Sequence, residues 1–153
     1  MSMKAASMWI ALCGLALLQS ACASSSGALR PPQVQLTGLS VLQPSQRFRV
    51  SLLLTNANAA SVPIDTLRFS IRLRGEGLLN GETPGPMTVP ANATETLRVD
   101  VDGDMVSSVS RLISMQGPQS ALPYEIAGDL TLDRKAYSFN SAGQVPFSTT
   151  ADR

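Results

Sequence analysis

The chain has no histidine among its 153 residues. That excludes a Ser-His-Asp or Cys-His arrangement and any imidazole general base. Cysteine is nearly absent, with only Cys13 and Cys22, so zinc sites built from His or paired Cys are excluded as well. Charge is scarce at 15% of residues, and 12 basic side chains face 11 acidic ones. No basic excess directs the chain to nucleic acid or to an anionic surface. Lysine occurs only at Lys4 and Lys135, a bias that reads as base composition more than function. Against these absences stands an apolar content of 44%, which marks a folded chain and not a disordered, solvating one.

The N-terminus reads as a bacterial lipoprotein export signal. Lys4 supplies the positive start, Met8 to Leu18 form an apolar run too short to span a bilayer comfortably, and Ser20-Ala21 precede Cys22. Gln19 departs from the lipobox pattern, where a branched apolar residue is usual, and Leu18 stands one step away. Ordinary cleavage after Ala21-Cys22-Ala23, on the A-x-A pattern, is the alternative. Removal of residues 1–21 takes Cys13 with it, so no internal disulfide can form, although an exported compartment would permit one. A lone cysteine at the mature N-terminus is what lipid attachment requires. Residues 22–32 follow as a tether: Ser and Gly keep it flexible, and Pro31-Pro32 stiffen its end.

A period of two then takes over. Val34, Leu36 and Val41 predict a first strand interrupted near Gly38. Phe48, Val50, Leu52 and Leu54 predict a half-buried strand that ends at Asn56-Ala57-Asn58. Leu67, Phe69, Ile71 and Leu73 alternate with Arg68, Ser70, Arg72 and Arg74, giving one apolar face and one face rich in arginine. Gly75, Gly77 and Gly81 then break the pattern up. Met87-Thr88-Val89 lies among Pro84, Pro86 and Pro90, a place suited only to an edge or a strand end. Leu97, Val99 and Val101 predict a further strand. Over 104–116 the period changes: Met105, Val109, Leu112, Ile113 and Gln116 sit at helical spacing, with Asp104 as N-cap and Gly117-Pro118 as stop. Tyr124, Ile126, Gly128, Leu130 and Leu132 return to strand, Tyr137 and Phe139 open another segment, and Gly143 to Phe147 close the domain. The expected fold is all-β with one helix, an antiparallel sandwich.

Three groups of residues invite a chemical reading. Asp100-Val101-Asp102-Gly103-Asp104 suggests calcium, but position six of such a loop would be Met105 and position twelve Arg111, so both tests fail. The bland reading is a solvated strand face leading into a helix cap. Arg68, Arg72 and Arg74 form a possible interaction face for an acidic partner or a lipid phosphate; the competing reading is a polar face answered by acids on adjacent strands. Asn56-Ala57-Asn58 could hold a ligand, but asparagine side chains satisfy their own backbone in turns. Glu76, Glu82, Glu95 and Glu125 show no spacing that marks a glycosidase.

Taken in order, these elements resemble the late embryogenesis abundant proteins of type 2, whose domain is also called WHy (water stress and hypersensitive response). The similar stretches are Phe48-x-Val50-x-Leu52-x-Leu54-Thr55-Asn56-Ala57-Asn58, then Val62-Pro63-Ile64-Asp65-x-Leu67-x-Phe69-x-Ile71-x-Leu73-x-Gly75. They continue with Leu78 to Gly81, Val89-Pro90, Leu97-x-Val99-x-Val101, and Leu122-Pro123-Tyr124-Glu125-Ile126-Ala127-Gly128. Ala57 stands where the family usually has proline. The resemblance implies an immunoglobulin-like or fibronectin-III-like β-sandwich, a role in tolerance of desiccation and related stress, and no catalytic residues to carry over.

The expected organisation is a signal peptide at 1–21, a tether at 22–32, the sandwich domain at 33–148 and a tail at 149–153. The expected protein is a monomer that is not an enzyme and uses no cofactor or metal. It meets the membrane through a lipid on Cys22, meets protein clients weakly, and has no nucleic-acid partner. Ala23 and Ser24 lack the aspartate that commonly marks inner-membrane retention in similar lipoproteins, so the expected place is the outer membrane, facing the periplasm; soluble periplasmic or secreted protein is the alternative. The expected role is protection of clients or envelope in water stress. The rival is an envelope adaptor or assembly module that docks one specific protein partner by strand addition or through the arginine face.

Overall fold

In the computed structural model, which describes residues 29–102, 107, 111 and 121–151, the first strand carries a bulge that sets its inward face. β1 (Gln33–Gln43) pairs antiparallel with β2 (Arg47–Thr55). The register steps from Leu36 opposite Leu52 to Gly38 opposite Ser51, which leaves Thr37 over. An extra residue shifts the alternation by one. Val34 and Leu36 before the bulge, and Leu39 and Val41 after it, are therefore all buried. This is the interruption expected near Gly38.

The chain continues through β3 (Val62–Ile64), β4 (Thr66–Leu73), β5 (Glu76–Glu82), β6 (Met87–Val89), β7 (Thr94–Val101), β8 (Ala121–Leu132) and β9 (Lys135–Ala151). One layer is β5-β4-β8-β9 and the other is β9-β1-β2-β7, so β9 belongs to both. Residues Lys135 to Pro146 pair antiparallel with β8. From Phe147 onward β9 pairs instead with β1, the one parallel pairing among the described strands. The exchange falls at Pro146, which has no N–H to give to a ladder. β3 and β6 form a separate two-stranded sheet. The fold is thus all-β, an antiparallel-dominated sandwich.

Both layers turn their period-two apolar faces to one core. Val50, Phe69, Ile71, Tyr124, Ile126, Leu130 and Val145 are among its members, with Tyr137, Phe139 and Phe147 packed against it. Tyr124 also ties the layers together, because its hydroxyl accepts a 3.3 Å hydrogen bond from the backbone N–H of Leu36 beside the bulge. Two tight turns set the registers of β4–β5 and β8–β9. Arg74 and Gly75 have φ of 51° and 82°, and Asp133 and Arg134 have φ of 46° and 64°. Positive φ at both central residues is the hairpin turn whose twist suits the flanking strands.

Four expectations need adjustment. The glycines after β4 do not dissolve the structure: Gly77 and Gly81 lie within β5, opposite Arg72 and Phe69. Arg74 is not on the β4 face with Arg68 and Arg72, because β4 ends at Leu73 and Arg74 takes the turn. Residues 149–151 are not outside the fold but continue β9 opposite Val41, Leu42 and Gln43. The segments opened by Tyr137 and closed at Phe147 are one strand that changes partner. The helix expected over 104–116 falls, but for Ser107 and Arg111, outside the described residues, as do the signal peptide, Cys22 and most of the tether.

Candidate functional site

The outward face of β2 and β7 carries a ladder of opposite charges. The register puts Arg49 opposite Asp100, and Ser51 opposite Arg98. Arg49 donates two hydrogen bonds of 2.8 Å to the two carboxylate oxygens of Asp100. Arg47 donates one of 2.8 Å to Asp102. The hydrogen bonds from Arg49 hold the Asp100 carboxyl below the usual carboxylate range; partial burial pushes the other way, and the charges of Arg49 and Arg47 add to the lowering. Of the candidate calcium loop, Asp100 thus places both carboxylate oxygens on Arg49, and Asp102 places one on Arg47. Asp104 lies outside the described residues. Among the described residues no three His, Cys, Asp or Glu side chains gather as a metal site would need.

The same ladder blunts an edge. Asn56 N–H donates to the Ala93 carbonyl, which extends the β2–β7 register by one step. Alternation from that bonded pair turns the N–H and C=O groups of Thr96, Arg98 and Asp100 away from β2. Arg47 Nη2 donates to the Asp100 carbonyl at 3.2 Å. A charged side chain thus occupies one acceptor on the side of β7 that no described strand covers, one of the ways edge strands are blunted.

The arginines expected to form an interaction face separate. Arg68 and Arg72 are both exposed on β4. Arg68 meets Glu82 on β5 at 3.1 Å, the cross-strand answer expected of a solvated face. Arg72 stands opposite Glu125 in the register with β8. Arg74 sits at the turn. Between the rows of charge, a shallow depression of about 480 Å³ is bordered by Arg68, Ser70, Asn80, Glu82 and Ala127. A second, of about 390 Å³, lies between Arg47, Arg49, Arg98 and the Glu82–Pro84 turn.

Asn56-Ala57-Asn58 does turn chemistry, and more than a turn. Asn56 is 1% exposed. Its Nδ2 donates to the carbonyls of Ala60, Val89 and Pro90 at 2.9, 3.1 and 2.8 Å. Its Oδ1 accepts from the Asn58 backbone N–H at 2.9 Å and from Asn58 Nδ2 at 2.7 Å. Asn58 in turn grips the chain that enters the domain. Its Oδ1 accepts from the Arg30 N–H at 2.9 Å, and its Nδ2 donates to the Arg30 carbonyl at 2.8 Å. One carboxamide thus copies the pairing of a neighbouring strand. No buried side-chain nitrogen or oxygen among the described residues lacks a hydrogen-bond partner.

Among the residues whose side-chain exposure is described, Leu29, at 38%, is the one large hydrophobic residue in the exposed class. The class defined is an all-β sandwich with a polar, ion-paired exterior. The particular family follows from sequence comparison. Residues 51–143 match the late embryogenesis abundant protein family LEA_2, and the chain belongs to that family. The solution structure of AT1g01470 from Arabidopsis thaliana is similar, with 19% identity over 82% of this chain and 87% of that one, and a TM-score of 0.55. The solution structure of At2g46140.1, assigned to the late embryogenesis abundant (LEA) proteins, has 17% identity over 75% and 70%, with a TM-score of 0.47. A crystal structure of a protein from Archaeoglobus fulgidus has 12% identity over 78% and 97%, with a TM-score of 0.43. A search of curated proteins gives no match. At these identities the likeness to the first structure speaks for a shared fold alone.

Proposed function

We propose that the protein is a lipid-anchored envelope protein of the WHy type that contributes to tolerance of water stress without catalysis. Membership of the LEA_2 family over residues 51–143 carries this reading. The export pattern ending at Cys22 supports the anchor, and Ala23-Ser24 support an outer-membrane place facing the periplasm. The acids and arginines that could form a site are matched with one another at Arg49–Asp100, Arg47–Asp102 and Arg68–Glu82, which supports a role without an active site. With one large apolar side chain in the exposed class among the residues whose exposure is described, protection works through many weak polar contacts with clients or envelope, carried by a monomer, and not through a hydrophobic capture groove.

A deletion strain tests the role directly: its survival of drying should fall, and the wild-type gene should restore it. Cys22→Ser should move the mature protein from the membrane fraction to the soluble periplasm or stall its processing. Normal processing with continued membrane attachment would remove Cys22 as the anchor. A second reading rests on the depression beside Arg68, Ser70 and Asn80: an adaptor that seats one partner on that layer. Constitutive co-purification with a single complex favours the adaptor, whereas stress-dependent need with no fixed partner favours protection.

A further inference from the structure

We propose that the open rim of β7 takes up an extended segment of a client protein as an added strand, and that Glu95, Leu97 and Arg98 set the side chains it accepts. The inference rests on the client-protection reading and names the surface and the chemistry of the contact. β7 ends the sheet order, and its ladder with β2 runs from Thr94–Thr55 to Val101–Phe48 without a register shift. Its rim is therefore regular. The alternation that follows from the Asn56–Ala93 bond turns the N–H and C=O groups of Thr94, Thr96 and Arg98 toward that rim. The contact from Arg47 occupies the Asp100 carbonyl, beyond this stretch. These residues thus offer donors and acceptors at the spacing that a further strand needs, the main-chain mode of peptide recognition. The other end of the sheet, β5, is a poorer template. Its pairing with β4 is broken by a bulge between Ile71 and Arg72, and Arg111 meets its first residue, Glu76, at 3.7 Å. A bulge kinks a strand and interrupts its ladder.

The side chains along the rim select among strands. Leu97 is half-buried and packs against the core. Glu95, also half-buried, stands opposite the buried Leu54 and so shares that inner face. A charge pointing inward on an edge turns away a wholly apolar strand. The strand it admits carries a basic residue beside Glu95 and an apolar one beside Leu97. Thr96 and Arg98 lie on the outer face and are exposed. Arg98 forms no ion pair among the described residues, whereas Arg47, Arg49 and Arg68 each do. The depression of about 390 Å³ that it borders leaves space for a carboxylate. An acid opposite Arg98 makes a favourable cross-strand pair. For an antiparallel client strand the order is therefore acid, apolar, any residue, basic.

The test uses the full mature protein in detergent and a fluorescein-labelled peptide, Val-Asp-Val-Thr-Lys-Thr. Read by fluorescence anisotropy, this peptide should bind about tenfold more tightly than Val-Lys-Val-Thr-Lys-Thr, since an opposite-charge pair replaces a like-charge one at Arg98. It should also slow hydrogen exchange of the Thr96 and Arg98 amides roughly threefold or more. Arg98→Glu should reverse the preference. Equal affinities in wild type, or a preference that Arg98→Glu leaves unchanged, overturns the site. Thr96→Pro removes an N–H that serves no ladder bond, as proline on an edge does. It should melt as wild type and weaken binding of the first peptide about tenfold; undiminished binding overturns strand addition. If that variant does not fold, the charge reversal at Arg98 decides alone. A dimer of the free protein in sedimentation that the peptide dissociates would give the rim to a second copy and overturn the client. Expressed in a deletion strain, a folded Thr96→Pro protein should restore survival of drying to less than half of wild type, because the backbone and not a side chain carries the contact. Full survival with lost peptide binding overturns the role of the rim in protection. A deletion strain that survives drying as wild type does removes the protection reading, while the anisotropy result still decides the site.

Discussion

The ring of Phe69 occupies the space that a side chain at Gly81, directly opposite it on β5, would need. The same relation recurs twice across the layer: Phe139 lies over Gly128, and Tyr124 over Gly143. Each ring packs on bare backbone, a pairing that supports glycine within a sheet by covering it. The three sites differ in how much they can yield. A methyl at Gly81 would push the Phe69 ring alone, whereas a methyl at Gly128 would also meet the carbonyl of Arg68. Gly128→Ala should therefore cost about 3 kcal/mol, because backbone and not only a side chain must move. Gly81→Ala should cost less. Denaturant melts of the two variants check the order; equal stabilities would mean that β8 relaxes freely at Gly128.

Phe69 itself should be far more costly to truncate than its neighbours on the other face. It is 4% exposed in the core, while Arg72 is exposed on the same strand. Phe69→Ala should lose about 3–5 kcal/mol, as removal of a packed aromatic does. Arg72→Ala should lose well under about 1 kcal/mol. Urea titration of both variants would reveal a register error if the order came out reversed, since a one-residue slip exchanges the two faces.

The glycines show where sequence reading stops. Alternation at 48–54 and 67–73 made β2 and β4 legible, and the broken pattern at Gly38 made the β1 bulge legible, because burial on one face writes a period of two. Gly77 and Gly81 instead read as breakers, because nothing local says that Phe69 will lie over Gly81. The Arg49–Asp100 pair joins residues 51 apart in sequence. Arg47 and Arg49 share the period of Asp100 and Asp102, which is the one signal that could have matched them. The partner change of β9 left no mark beyond Pro146, and the grip of Asn58 on Arg30 depends on β1, β2 and β7 coming together.

The Arg49–Asp100 pair gives stability a pH dependence. Its folded-state carboxyl titrates below the unfolded value near 3.8. A lowered carboxyl pKa contributes stability that is present above the unfolded value and is lost as pH falls through the folded one. Asp100→Asn should thus be less stable than wild type at pH 7, by about 1 kcal/mol for a partly exposed bidentate pair. That difference should shrink as the pH drops below about 4. Thermal melts of both proteins between pH 2 and 7 test the sign. A gap that stays constant with pH would mean that the pair adds nothing beyond shape.

Asn56 should be the most sensitive polar residue in the domain. Asn56→Ala would leave the carbonyls of Ala60, Val89 and Pro90 without this donor, and the Asn58 N–H without its acceptor. Stranded polar groups near a buried site cost about 1–3 kcal/mol each when water cannot reach them. The expected loss is about 3 kcal/mol, well above that for Asn58→Ala, whose contacts with Arg30 are exposed. Chemical melts rank the two.

If protection is diffuse, no exposed polar residue should be indispensable to it. Many weak contacts tolerate loss of any one, whereas a docking hot spot or an active site does not. Arg72→Ala, Arg68→Ala and Asp102→Asn, each expressed from the native locus of a deletion strain, should restore survival of drying to within twofold of wild type. These positions sample the exposed face of β4 and the charge ladder beside β7, and none lies in the core. A variant that folds with a wild-type melt and sits in the membrane at wild-type level, yet fails to restore survival, would mark a specific site. Failure at Arg68 alone, with Asp102→Asn fully active, would place a partner on the layer that holds Arg68, Ser70 and Asn80, and the adaptor reading would then replace diffuse protection.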